Sequence, residues 1–173
     1  MNIYKTLRPI LFSLDPEQAH EIVIKTASLG KLYPFYNFIN SLYSFEDPRL
    51  EVELFGLRFK NPIGLAAGID KNCRAIEFLS ALGPGSLEVG VVSAKPQHGN
   101  EKPRIFRFPE QEAIINRMGN PNIGADAAYD NLRMTRENFK IPSHIGLNIG
   151  KTTSTPMEEA TTDCVYTLKK LYD

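Results

Sequence analysis

The sequence predicts an α/β fold, a parallel sheet built from alternating strands and helices behind an all-helical N-terminal segment. Three observations carry this. Residues 1–45 repeat apolar side chains at helical spacing, and from residue 51 the period changes. The later apolar runs, at 63–67, 86–93 and 144–149, are short and separated by helical stretches. Strands that alternate with helices join through crossover connections into parallel sheets.

The elements follow in order. Leu7, Ile10, Leu11 and Leu14 recur at helical spacing. Asp15-Pro16-Glu17 is a helix start, with Asp15 as N-cap, Pro16 at the first helical position and Gln18 at the capping-box position. Ala19, Ile22, Val23, Thr26 and Ala27 give that helix one apolar face, and Gly30 can end it. Leu32 opens a third apolar stretch, in which Tyr33 to Phe45 holds six aromatic residues in 13 positions. That cluster is core if these helices pack onto a larger body, and a membrane or partner surface if they stand apart. Lys5 and Arg8 beside apolar residues suit anionic headgroups.

Val52, Leu54, Leu57 and Phe59 alternate around Phe55-Gly56, a hairpin pattern. Ile63 to Ala67 is a strand of small residues, and Asp70 can cap a helix over 72–82 that Gly83 stops. Ser86–Ser93 is the second parallel strand, 94–104 is loop, and Arg104–Arg107 with Glu112–Ile115 form a second hairpin. A helix over 125–139, a third parallel strand over 144–149, and a last helix capped by Thr155 with Pro156 at its first position complete the chain.

Composition bounds the function. The 173 residues are enough for one domain with a core, 42% are hydrophobic, and net charge is zero, so no nucleic-acid footprint is expected. Cys73 and Cys164 lie far apart, which fits neither a metal site nor a disulfide framework. No apolar run nears the roughly 20 residues that span a bilayer, and Pro9 and Asp15 interrupt any leader-like stretch.

One stretch is the most informative: Asn61-Pro-Ile-Gly-Leu-Ala-Ala-Gly-Ile-Asp-Lys71. Small residues at a strand's carboxyl end let a flat ligand lie on the backbone, and a lysine just beyond places a cation against it. In parallel α/β proteins ligands bind at that end. The alternative is a buried strand with a solvated Lys71.

Seven segments, in order across nearly the whole chain, resemble the N-terminal half of class 2, quinone-dependent dihydroorotate dehydrogenases. They are Leu14–His20, Gly56–Pro62, Gly64–Lys71, Leu87–Gly90, Gly99-Asn100 with Lys102–Arg107, Ile115–Gly119 and Gly146–Lys151. The helical segment selects class 2. The resemblance implies the first part of a (β/α)8 TIM barrel: residues 1–45 as a cap serving quinone access and membrane association, residues 46–173 as the first β/α units. It implies FMN as cofactor, dihydroorotate and orotate as substrate and product, a membrane quinone as acceptor, and peripheral attachment to the cytoplasmic side of the cell inner membrane.

Carried over residue by residue, Ala66, Ala67, Gly68, Ile69, Asp70, Lys71, Val91 and Asn148 match FMN-contacting positions. Lys71, Asn116, Arg117, Met118, Gly119 and Asn120 match substrate-binding positions, and His20 and Arg107 match quinone positions; alone, His20 reads as an ordinary helix-surface histidine. Three departures stand out. Val91 replaces the usual Thr or Ser, a lost hydroxyl contact worth about 1 kcal/mol. Asn120-Pro121 replaces an aromatic-containing segment, and Gly83-Pro84-Gly85 carries an unusual proline. The family's catalytic serine is expected roughly ten residues beyond Asp173, so no catalytic residue is assigned and the 173-residue chain is expected to be inactive alone. The alternatives are a non-catalytic membrane- or partner-binding fragment, and a soluble class 1-like FMN dehydrogenase.

Overall fold

A computed structural model describes residues 3–172. Three helices come first: α1 (Ile3–Ser13), α2 (Pro16–Ala27), a single 3-10 turn at Ser28–Lys31, and α3 (Tyr33–Tyr43). The Asp15 carboxylate accepts the amides of Glu17 and Gln18, so the predicted N-cap forms. A hairpin of β1 (Val52–Leu54) and β2 (Leu57–Phe59) follows. Then come β3 (Gly64–Leu65), α4 (Ile76–Ala81), β4 (Ser86–Val92), a second hairpin of β5 (Ile105–Phe108) and β6 (Ala113–Asn116), α5 (Ala125–Asn138), β7 (His144–Ile149) and α6 (Ala160–Tyr172).

Strands β3, β4 and β7 form one parallel sheet in that order, with Leu65 beside Leu87 and Val89 beside Leu147. Alternation along β4 sends Leu87 and Val89 to one face, where they join Ala75, Ile76 and Leu79, Ala125, Ala128 and Leu132, and Leu171 in the core. Glu88, Gly146 and Asn148 occupy the other face, which no helix covers among the described residues.

The helical segment settles the aromatic cluster in two parts. Tyr33 stacks on Phe139 at 4.4 Å and Phe35 on Phe78 at 6.1 Å, so one side of α3 is packed. Phe38, Leu42, Tyr43 and Phe45 stay exposed, as do Tyr4, Leu7 and Ile10 on α1.

Four expectations need correction. The strand expected over 63–67 pairs only at Gly64–Leu65. The helix expected from Asn72 begins at Ile76, because Asp70 holds residues 72–75 in a turn that passes through Cys73 at φ 56°. The last helix begins at Ala160 after a 3-10 turn at Met157–Glu159. Thr155 is not its cap: its hydroxyl donates to Asp163 at 2.8 Å, while Asp163 also accepts the Thr152 amide at 2.7 Å. The hairpin strands sit one residue later than expected, at 105–108 and 113–116.

The proline of Gly83-Pro84-Gly85 is accommodated where the chain enters β4. Pro84 accepts the Ser143 hydroxyl at 2.6 Å, and buried Asn61 ties the turn together through Gly83 O and the Gly85 amide.

Gly90 lies at φ 110° with a register shift beside it, and a Cβ there would sit 2.4 Å from the Asn148 carbonyl oxygen. Gly90→Ala is therefore expected to destabilise the fold by about 2 kcal/mol or more. A lowered urea midpoint with unchanged slope would report it.

Candidate functional site

The site is built at the carboxyl end of the sheet. Beyond β3 the chain no longer pairs as a regular strand but stays laced to β4: the Gly68 amide donates to Gly90 O at 2.9 Å, and the Gly90 amide donates to Asp70 O at 3.1 Å. The Asp70 side chain is 2% exposed. Its carboxylate accepts three amides, from Asn72 (3.3 Å), Arg74 (3.0 Å) and Ala75 (2.7 Å). Asp70 is thus a structural anchor, and it aims the next residue, Lys71, outward.

Lys71 is half-buried and its Nζ donates to Gly68 O at 2.7 Å. Burial pulls its pKa below the ordinary lysine value, with the Glu17 carboxylate opposing. Facing it from α2 is His20. Its pKa is held below 6.5 first by burial and then by the positive charge of Lys71.

His20, Gly68, Lys71, Arg107, Asn116 and Met118 converge on one cleft of about 270 Å³. The six residues come from four separate stretches of chain, and each was proposed from the sequence. On the far side of the His20–Lys71 wall lies a larger cleft of about 780 Å³, bordered by Ile69, Asp70, Asn122 and Ile123.

Arg107 already has partners. It donates to Leu11 O at 3.1 Å and Leu14 O at 3.2 Å, and its guanidinium lies 4.8 Å from the Phe12 ring centre, with Arg8 on the same ring at 4.9 Å. Asn116 ends β6, is exposed, and its amide oxygen accepts the Met118 amide at 3.4 Å.

Other expected site residues are not drawn to that cleft. Asn148 is on the sheet's uncovered face, where its amide donates to Glu88 at 3.1 Å. Val91 sits against Gly150, whose added Cβ would meet Val91 Cγ1 at 2.6 Å. Ala66 is exposed and Ala67 half-buried beside Gly68. Arg117 turns to Pro103 O at 3.2 Å, and Gly119 (φ 69°) and Asn120 (φ 52°) form a turn against the 97–100 loop.

Four residues that the sequence reading left without a role frame the site. Arg104 pairs with Glu17 and Arg74 with Glu21 across the larger cleft. The available signal was the spacing of Glu17 and Glu21, which puts both on one face of α2 with His20.

A Cβ built on Gly68 meets nothing within 4 Å, so the segment Ala66-Ala67-Gly68 leaves an open, shallow floor. A flat aromatic group fits such a floor, and Lys71 beside it suits one that gains negative charge. Asn116 offers a donor and an acceptor to an imide-like edge.

Comparisons with known proteins bear on the family and the fold. A family model described as dihydroorotate dehydrogenase matches residues 49–173. The dihydroorotate dehydrogenase (quinone) of Gloeobacter violaceus is 44% identical over 172 residues, 99% of this chain and 48% of the relative. That of a Psychrobacter species is 46% identical over 169 residues, 98% of this chain and 46% of the relative. The chain spans about half the length of the curated relatives it matches. Among solved structures, a dihydroorotate dehydrogenase from Eimeria tenella, in complex with ferulenol, superposes with TM-score 0.77 and 38% identity over 91% of this chain and 41% of that one.

The depressed pKa of His20 has a measurable consequence. Between its native pKa and 6.5 the unfolded chain binds more protons than the folded one, so this group makes stability rise with pH through that window. Replacing His20 with Phe should remove that part of the slope. Urea unfolding of both proteins at a series of pH values from 7 downward checks it: the variant should lose less stability on acidification.

Proposed function

The chain belongs to the dihydroorotate dehydrogenase family, and from that premise we propose that it carries the N-terminal part of a quinone-dependent enzyme that oxidises dihydroorotate to orotate in pyrimidine synthesis. The observation that carries the proposal is the meeting of His20, Gly68, Lys71, Arg107 and Asn116 in one cleft at the carboxyl end of a partial (β/α)8 barrel.

FMN is the proposed cofactor, and when bound it supplies a two-electron acceptor for the hydride leaving dihydroorotate. Ala66, Ala67, Gly68, Ile69 and Asp70 would form its floor by backbone and small side chains, with Val91 and Asn148 assigned to the same group. Lys71 would place its cation against the ring and the substrate carboxylate. Asn116 would read the substrate's imide edge, with Arg117, Met118, Gly119 and Asn120 shaping the adjoining wall through backbone. His20 and Arg107 would offer hydrogen bonds to quinone carbonyls in an otherwise apolar slot. Ser93 and Ser143 are held by Lys95 O with Asn122 and by Pro84 O, and neither is assigned as the base.

Residues 1–45 are proposed as the cap over the quinone entrance, and residues 46–173 as the first β/α units. Peripheral attachment to the cytoplasmic side of the inner membrane belongs to the same proposal, and exposed Tyr4, Leu7, Ile10, Phe38 and Leu42 suit contact with a lipid surface. No described helix is long and apolar enough to cross a membrane. The helical segment also favours a quinone over the soluble acceptors of class 1 enzymes.

The test is a chimera that joins this chain to the C-terminal part of the Gloeobacter violaceus relative. It is expected to form orotate with a soluble quinone analogue and not with fumarate or NAD, and the 173 residues alone are expected to form none. Lys71→Ala in the chimera should lower kcat/KM for dihydroorotate by roughly a hundredfold. Absence of orotate, or turnover with fumarate, would overturn the reading.

A further inference from the structure

Helix α2 has two kinds of hold on the rest of the molecule. Its C-terminal half is packed: Ile24 and Ala27 are 3% exposed and belong to the core. Its N-terminal half buries one residue, Ala19, and is otherwise held by polar contacts. Arg104, 6% exposed, donates from Nε to Glu17 Oε2 at 3.0 Å and from Nη2 to Oε1 at 2.5 Å, while its Nη1 donates to His98 O (2.6 Å) and Asn100 O (3.0 Å). One turn on, Arg74 grips Glu21 with both terminal nitrogens, at 3.0 and 2.8 Å. The two arginines come from the loops after β4 and after β3. The two glutamates are four residues apart on one helix face, and His20 lies between them.

From this geometry we propose that the Arg104–Glu17 and Arg74–Glu21 pairs are a double clamp that holds α2 across the cleft and sets how closely His20 approaches Lys71. Arginine–carboxylate forks of this kind fix orientation as well as distance. Arg104 also fixes the 98–100 loop, so the same side chain positions both banks of the cleft. Arg107 adds a second contact from β5, to Leu11 O and Leu14 O at the α1–α2 junction. The packed end at Ile24 and Ala27 is the natural pivot, and the Glu17 end is the one that would lift. Glu17 and Arg104 are thus positioning residues that act through His20. The clamp stands on this geometry and does not require the function proposed above.

The test uses Glu17→Ala and Glu17→Gln in the full chain, since replacing the buried arginine would also orphan two loop carbonyls. Backbone hydrogen exchange is followed in Ala19–Ala27 and, for comparison, in β4 and α5. Glu17→Ala should speed exchange in α2 roughly tenfold, Glu17→Gln less, with β4 and α5 unchanged. Glu21→Gln, which leaves the Arg104 fork intact, should loosen the same amides more weakly.

The second reading is the His20 ring titration by NMR. The charged groups facing His20 are Lys71, Asp70 and Arg74 from the loop after β3, Arg107 of β5 across the shared cleft, and Glu21 on its own helix. Removing the Glu17 anion by itself can only lower a histidine's titration midpoint. Lifting the helix into water raises it. An upward shift in Glu17→Ala, partly reversed in Glu17→Gln, supports the clamp. Exchange that accelerates equally in β4 and α5, unchanged exchange in α2, or a downward midpoint overturns it. None of these readouts involves substrate, so they stand apart from the activity of the chimera.

Discussion

The carboxylate of Asp70 is the constraint on which the rest of the site depends. A parallel sheet leaves each strand's carboxyl end with no tight turn to close it, and β3 is paired over only two residues. Asp70 supplies the closure. It takes three amides of the 72–75 turn, and its carbonyl takes the Gly90 amide, which together with the Gly68–Gly90 bond joins the ends of β3 and β4. A buried carboxylate with its acceptors filled is inexpensive to keep. Both the direction of Lys71 and the delayed start of α4 follow from it.

Around that anchor the molecule separates packing from chemistry. The helix-covered face of the sheet holds Leu87, Val89 and their partners from α4, α5 and α6. The candidate cleft sits off the end of the sheet, bordered by α2 on one side and by the β5–β6 hairpin on another. Half-burial there lowers the pKa of both His20 and Lys71 from their ordinary values. The ion pairs Glu17–Arg104 and Glu21–Arg74 have the opposite electrostatics, with each glutamate held below its usual pKa by its arginine. The charge that fixes the helix is therefore paired with a carboxylate, whereas Lys71 and Arg107 in the cleft are held by backbone carbonyls.

Much of this was legible along the chain. The helix start at Asp15-Pro16, both hairpins and the strands 86–92 and 144–149 read from local pattern, because capping and alternation are local effects. So did the strand end at Gly64–Leu65, the first of the parallel sheet, although it pairs over fewer residues than expected. The misses at residues 72–75 and at Thr155 were cases where a distant or competing hydrogen bond won. Residues 72–75 look helical, but Asp70 offers their amides a better acceptor than the helix does. Thr155 looks like a cap, but Asp163 claims its hydroxyl from the following helix. Arg104 and Glu17 are 87 positions apart, and no local pattern connects them.

The sequence by itself determined the class of fold and the family, because these rest on periodicity and on short contiguous motifs. The tertiary structure alone decided which of the candidate residues share a cleft. His20, Lys71, Arg107 and Asn116 meet because α2 and the β5–β6 hairpin close over the end of the sheet. Asn148, proposed on equal terms, faces the uncovered side instead. The reason is geometric: side chains alternate across a strand, and one position decides the face, whereas convergence on a cleft depends on crossovers and on ion pairs between segments far apart in the chain.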